Sequence, residues 1–317
     1  MSYKIVIQQP ITDLGINFLK ERGYDLYIGD GKTDLETMKE VVKDADGILA
    51  RTAPYPKEVL EQAKKLKVIG RFGVGVDNID TEYCKEKGIW VTIAPKANSN
   101  AVAEHTIGFI FAAAHNIITM DRETRLGNWE ARNKIKGHDL VGKTVGLVGF
   151  GRIGREVAKK AYFGMDMNIL AYDPYVSAEN CPEYVKLVKL DELLENSDFV
   201  SIHMPATKDT ENMVDRIFLS KMKKDSVLIN CARGAIVNEK DLYDALKEGT
   251  IKSACLDVMK DEPADIKNPL FELDNLIVSP HNAGLTSETM DQMGLHAAMG
   301  IDDVLNGRKP EWPYVGF

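Results

Sequence analysis

The chain has 317 residues and a mass of 35.3 kDa, with 44% hydrophobic and 28% charged residues. That is room for two domains with buried cores, in the composition of an ordinary soluble protein. The formal charge of -8 excludes a general attraction to nucleic acid or to an anionic membrane, so an anionic ligand needs local arginines. The N-terminus, MSYKIVIQQP, goes straight into a strand pattern, and no signal-like segment is expected. The most apolar stretch, residues 107–114, is far too short for a membrane span. Cys84, Cys181, Cys231 and Cys255 lack metal-ligand spacing and read as reduced packing thiols of a cytoplasmic protein.

In chain order, short β-like runs at 4–8, 25–28, 47–50, 67–69 and 90–93 alternate with polar-faced helical segments at 14–21, 35–43, 57–64 and 81–86. This alternation predicts a parallel sheet with covering helices. Pro95 follows the last strand, and Asn98 or Ser99 can cap a long apolar helix running to about Met120. The first domain crossing is placed there, giving a first segment of 1–98. His105, near the start of that helix, reads as structural. Residues 127–143 form a polar insertion in which Trp129 is a packing or interface anchor.

Next comes VGLVGFGRIGREVAKKAYFGMDMNILAYD, residues 145–173. Gly149, Gly151 and Gly154 stand at G-x-G-x-x-G spacing between an apolar strand and a helix with Ile153, Val157, Ala158 and Ala161 at helical intervals. A second strand follows and ends at Asp173. Gly149 suits the tight turn, Gly151 the close approach of a pyrophosphate, and Gly154 the packing of helix on strand. Free N–H groups at the helix start would receive the diphosphate. Asp173 would accept from both ribose hydroxyls and repel a 2′-phosphate, which argues for NAD over NADP.

Further strands are expected at 199–203, 226–230, 253–257 and 276–279, with helices near 190–195, 216–222 and 239–248. They make a second open α/β sheet over 99–285. A helix at 287–305 and the tail with Trp312 are expected to return to the first domain, so 286–317 belongs with 1–98. Ligands of such sheets lie beyond the carboxyl ends of strands, here His203, Asn230, Asp257 and Ser279. Arg233 in CARG can grip a carboxylate bidentately. His281 in SPHNAG titrates near neutrality, and Glu262 in DVMKDEP can pair with it and favour the imidazolium. Asp257 can accept from a nicotinamide carboxamide, and His203 reads as a residue lining the cofactor. Asp265 and Glu272 have no partner or metal spacing and read as surface acids. A basic clamp, a histidine, a carboxylate and a dinucleotide turn are what reversible hydride transfer to a 2-oxo acid requires.

These segments, with GRFGVGVDNID (70–80), NAVAEHTIG (100–108), SIHMPATKDTENMV (201–214) and LINCARGAIVNEKDLYDAL (228–246), resemble the D-isomer-specific 2-hydroxyacid dehydrogenases over residues 48–310. The resemblance implies Arg233 as the substrate-binding arginine, Glu262 as the acid supporting the histidine, and His281 as the acid/base. It implies the Val74–Gly75 backbone as the receiver of the substrate carboxylate. Arg152 and Ile153 match the cofactor loop and Asp173 the ribose acid. Pro205, Thr210, Cys231, Ala232, Asp257, Ala283 and Gly284 match further cofactor positions. The implied fold is a Rossmann nucleotide-binding domain inserted in a flavodoxin-like substrate domain, in a homodimer formed through the nucleotide domains. Two small departures, MPAT at 204–207 and CARG at 231–234, remove no catalytic group.

GRFGVGVDNID with Arg51 in LART looks most like the phosphoglycerate dehydrogenase branch. Arg51 and Arg71 can supply charge for a phosphate, although Arg71 can equally bind backbone carbonyls. No carboxy-terminal regulatory domain is expected beyond Phe317, and with it no serine feedback. The alternatives are a reductase of hydroxypyruvate, glyoxylate or another small 2-oxo acid, and a corepressor-like protein that senses NAD without turnover.

Overall fold

The computed structural model describes residues 2–317. By its internal contacts the chain divides into two compact units, one made of the segment up to Asn98 with Leu285–Phe317, the other of Ser99–Gly284. The second boundary falls one residue earlier than the sequence reading puts it, so Leu285 goes with the terminal unit.

In the terminal unit β1 (Lys4–Ile7), β2 (Asp25–Ile28), β3 (Gly47–Ala50), β4 (Val68–Arg71) and β5 (Trp90–Thr92) are parallel in the order β5-β4-β3-β1-β2. This is the flavodoxin-like order. Pro313–Val315 pairs antiparallel with β5, and Ile93 N donates to Trp312 O, which is how the tail returns. Strand side chains alternate between two cores. Val6, Ile48 and Ile69 face Met38, Val59 and Leu60. Ile5, Ile7, Leu49 and Val68 face Leu19 of the helix Asp13–Glu21 and Ala297 and Ile301 of the helix Ser287–Leu305. Those two helices cross where neither has a side chain: a Cβ on Gly15 would lie 2.6 Å from Gly294 O.

In the central unit β6 (Thr144–Val148), β7 (Asn168–Tyr172), β8 (Val185–Leu187), β9 (Phe199–Ile202), β10 (Val227–Asn230), β11 (Ser253–Leu256) and β12 (Leu276–Val278) are all parallel, in the order β12-β11-β10-β9-β6-β7-β8. The order reverses between β6 and β9, so the crevice beyond their carboxyl ends is the switch point of a Rossmann sheet. One face is covered by the helices Ser99–Ala114 and Arg152–Met165 through Ala103, Ile110, Val157 and Ala161. The other is covered by Leu193, Leu219 and Leu242.

Two expectations need correction. The apolar helix from Ser99 stops at Ala114, and a second one, Ile117–Arg125, leaves at 58°. Asn116 at the break has φ +53, a left-handed backbone that asparagine tolerates, and its Nδ2 donates to Lys136 O. β8 was not expected, because Val185–Leu187 is only three residues long. Among the described residues no single helix is long and apolar enough to cross a membrane.

Candidate active site

The turn after β6 is built by glycine. Gly149 has φ +100, and a Cβ there would lie 2.7 Å from the carbonyl carbon of His203, backbone against backbone. A Cβ on Gly154 would lie 2.5 Å from Gly149 O, so the helix Arg152–Met165 can start this close to the strand only without a side chain. Gly151 differs: its Cβ would meet nothing within 4 Å. It is the N-cap of that helix, with no side-chain cap, and Arg152 and Ile153 are the first two residues after it. At the end of β7 the part-buried Asp173 accepts from Phe150 N and Tyr175 N, both at 2.9 Å, one on each oxygen. A carboxylate has about four acceptor positions, so two remain. A narrow turn, an uncapped helix start, an open Gly151 and a spare acceptor at Asp173 fit a dinucleotide.

His203, at the end of β9, bonds Ser201 Oγ at 2.9 Å, and its buried Nδ1 has no protein partner. Burial pushes its pKa down to about 4, so the ring is neutral at pH 7. Thr210 is used by its own loop: its hydroxyl donates to Pro205 O and accepts from Thr207 N, both at 2.8 Å. It folds the segment after His203.

The chemistry-bearing groups converge at the ends of β10, β11 and β12. His281 Nδ1 lies 2.6 Å from Glu262 Oε2, with both side chains partly exposed, which leaves Nε2 as the nitrogen presented to a substrate. Glu262 Oε1 accepts from Met259 N at 3.1 Å. Burial pulls the Glu262 pKa up, but the hydrogen bond and charge of His281, the Met259 N–H and the Arg233 charge outweigh it, and the net direction is down. Glu262 therefore stays ionised beside the histidine. Arg233 stands at the start of the turn Gly234–Ile236, its Nη1 donating to Ala232 O at 2.8 Å. A Cβ on Gly234 would lie 1.9 Å from Met259 O, so the arginine-bearing and glutamate-bearing loops touch through glycine.

Asp257 is built into its own loop. It is 1% exposed, and three donors of one loop hold it: Ser279 Oγ and Asn282 N donate to Oδ1, and Ala283 N to Oδ2; by the same count one acceptor position remains, on Oδ2. Its carboxylate organises the loop that carries His281. Cys231 and Ala283 are buried beside it, and burial pushes the Cys231 thiol up to about 12, which keeps it protonated. Ala232 N is held by Asn230 Oδ1, and Gly284 is half-buried.

In the terminal unit Arg71 Nε donates to Gly75 O at 2.6 Å and its Nη1 to Phe72 O, closing the turn Phe72–Gly75 around Gly73 at φ +134. Arg71 thus makes the backbone bonds that the sequence reading held as its alternative. Val74, at the tip, is exposed. Arg51 donates to Pro10 O at 3.0 Å and lies 5.9 Å from the Phe72 ring centroid.

Residues 107–283 match the family described as D-isomer specific 2-hydroxyacid dehydrogenase, NAD binding domain. The chain belongs to the D-isomer specific 2-hydroxyacid dehydrogenase family. It is 44% identical over 312 residues to a D-3-phosphoglycerate dehydrogenase of Methanocaldococcus jannaschii, covering 97% of this chain and 58% of that one. It is 35% identical to a glyoxylate reductase of Korarchaeum cryptofilum, covering 99% and 95%. A crystal structure of D-lactate dehydrogenase from Aquifex aeolicus complexed with NAD and lactic acid superposes with a TM-score of 0.88 at 30% identity, covering 99% of each chain. The chain spans little more than half the length of the phosphoglycerate dehydrogenases it matches.

Two further groups hold the site together in this member of the dehydrogenase family, one of them marked in the sequence only by its place at a strand end. Asn230, fully buried, accepts from Ala232 N and donates to Arg233 O, shaping the arginine loop. Glu239 accepts from Lys260 N and Asn268 Nδ2, tethering the segment that carries Glu262. Asn230 at a strand end was a signal; for Glu239, a helix-start acid among many, there was none.

Proposed function

We propose that the chain is an NAD-dependent dehydrogenase interconverting a small D-2-hydroxy acid and its 2-oxo acid, with 3-phospho-D-glycerate and 3-phosphohydroxypyruvate as the preferred pair. The observation that carries this reading is the 2.6 Å pair of His281 and Glu262, with the Arg233 charge acting on the same carboxylate. Arg233 takes the substrate carboxylate and orients the C2 oxygen. A bound nicotinamide supplies or takes up the hydride. His281, protonated and supported by Glu262, gives its Nε2 proton to the C2 oxygen during reduction and takes it back during oxidation. Asp173 favours NAD through its spare acceptor positions and disfavours a 2′-phosphate.

The phosphorylated substrate is supported by the names of the relatives at 44% and 40% identity, both D-3-phosphoglycerate dehydrogenases, and by Arg51 as a source of positive charge. A second reading, reduction of glyoxylate or hydroxypyruvate, is supported by the glyoxylate reductase relative. We also propose a homodimer, on the exposed Ile117, Ile118, Leu126, Trp129 and Val141 of one segment.

The test is NAD-linked oxidation of 3-phospho-D-glycerate against D-lactate, D-glycerate and D-sulfolactate, with NADH-linked reduction of glyoxylate and hydroxypyruvate in parallel. Preference for the phosphorylated acid, selectively weakened by Arg51→Ala, is the expected result; preference for an unphosphorylated acid favours the second reading. His281→Ala should lower turnover by roughly 100-fold or more with NADH binding intact. Near-normal turnover by that variant removes the acid/base assignment, and no turnover with any acid by the intact chain removes the enzyme reading.

A further inference from the structure

His281 sits at φ +52, a backbone conformation rare for histidine, and neighbours on both sides are tied to Asp257. Its own N–H donates to Asp257 O at 2.7 Å, while the Asp257 carboxylate takes Ser279 Oγ and Asn282 N on Oδ1 and Ala283 N on Oδ2. The chain of bonds continues one residue further. His105 Nε2 lies 3.1 Å from Ser279 Oγ and 3.8 Å from Asp257 Oδ1. Its ring packs edge-on against Phe109, with centroids 4.6 Å apart, which limits its rotation.

The proton count assigns the direction of this chain. A carboxylate only accepts, so the single hydroxyl proton of Ser279 goes to Asp257. Ser279 Oγ can then meet His105 only as an acceptor, and His105 Nε2 must carry a proton. We infer that His105 is a positioning residue for His281, acting as the donor end of a relay through Ser279 and Asp257 that keeps the His281 loop in its left-handed turn. This rests on His281 being the acid/base of the preceding section. It differs from a space-filling role for His105, because a space-filler needs the ring and this role needs the N–H.

The experiment compares His105→Phe, which keeps an aromatic ring, with His105→Gln, whose amide N–H can replace Nε2–H. Ser279→Ala and the double variant with His105→Phe complete a cycle. The Phe variant should lose about tenfold in kcat with KM for NADH unchanged, the Gln variant should recover to within about threefold of normal, and the double variant should be no worse than Ser279→Ala alone. Nitrogen-15 spectra of the histidine rings in the intact chain should show His105 with its proton on Nε2. Normal kcat in folded His105→Phe, no recovery with Gln, additive losses in the cycle, or a neutral ring protonated on Nδ1 each overturn the inference. If the Phe variant does not fold, the Gln variant and the ring spectrum decide. His281→Ala, assayed alongside, separates the two claims: if it keeps turnover the acid/base reading falls, whereas its inactivity beside a normal His105→Phe removes only the relay. The ring spectrum reads the proton on His105 independently of either.

Discussion

Two strands of the central sheet are each followed by an aspartate, β7 by Asp173 and β11 by Asp257, and the two acids are differently occupied. Asp173 is part-buried, holds two backbone N–H groups and has acceptor positions left over. Asp257 is buried and spends its oxygens on three donors of one loop. How much acceptor capacity a carboxylate at a strand end keeps for a ligand is set by how many local donors its loop supplies. Glu262 is more exposed than either and pairs with the His281 ring.

The contrast predicts a ladder of effects. Asp257→Asn should be the most damaging, because the amide turns an N–H toward donors and leaves a buried group without a partner. A loss of about 3 kcal/mol in chemical denaturation is expected, with a fall in kcat as the His281 loop loosens. A variant as stable and active as the parent would end the anchor assignment. Asp173→Ser should change stability by within about 1 kcal/mol, yet narrow the preference for NADH over NADPH by roughly tenfold in titrations. An unchanged preference would return Asp173 to a purely structural role.

Glu262→Gln should have the smallest and most specific effect, on pH dependence. In the reducing direction the histidine must be protonated, so turnover falls as pH rises. Removing the neighbouring negative charge makes that proton easier to lose, and the midpoint of the fall should move down by about one pH unit. A midpoint that stays put or moves up in a pH–rate profile would disconnect Glu262 from His281.

Much of this was readable before any coordinates, and the reasons are local. The alternation of strand and helix, the glycine spacing at Gly149, Gly151 and Gly154, and the acid after β7 are all short-range patterns of backbone geometry. They carry the fold and the dinucleotide turn. The break at Asn116 was missed because apolar periodicity continues through it and only one side chain, bonded to Lys136 O, records the turn. The anchoring contacts of Asp257 are not legible in the sequence, because its donors, Ser279, Asn282 and Ala283, come from a loop more than twenty residues away. For Arg71 the sequence leaves charge for a phosphate and bonds to backbone carbonyls equally open, because the carbonyls it meets belong to a turn whose shape only the structure displays. Sequence displays which groups are present; which are already spent depends on loop closure.

The crossing of Gly15 and Gly294 has a consequence for synthesis. The face of β1, β3 and β4 formed by Ile5, Ile7, Leu49 and Val68 is covered in large part by the helix Ser287–Leu305. On a ribosome those residues emerge before their cover and wait for it until the whole central unit has been translated. The central unit is one uninterrupted segment and can collapse as soon as Gly284 clears the exit tunnel. The nascent terminal unit thus keeps an apolar sheet face unprotected while the central unit is made, and it is the part of the chain that a chaperone would be expected to hold.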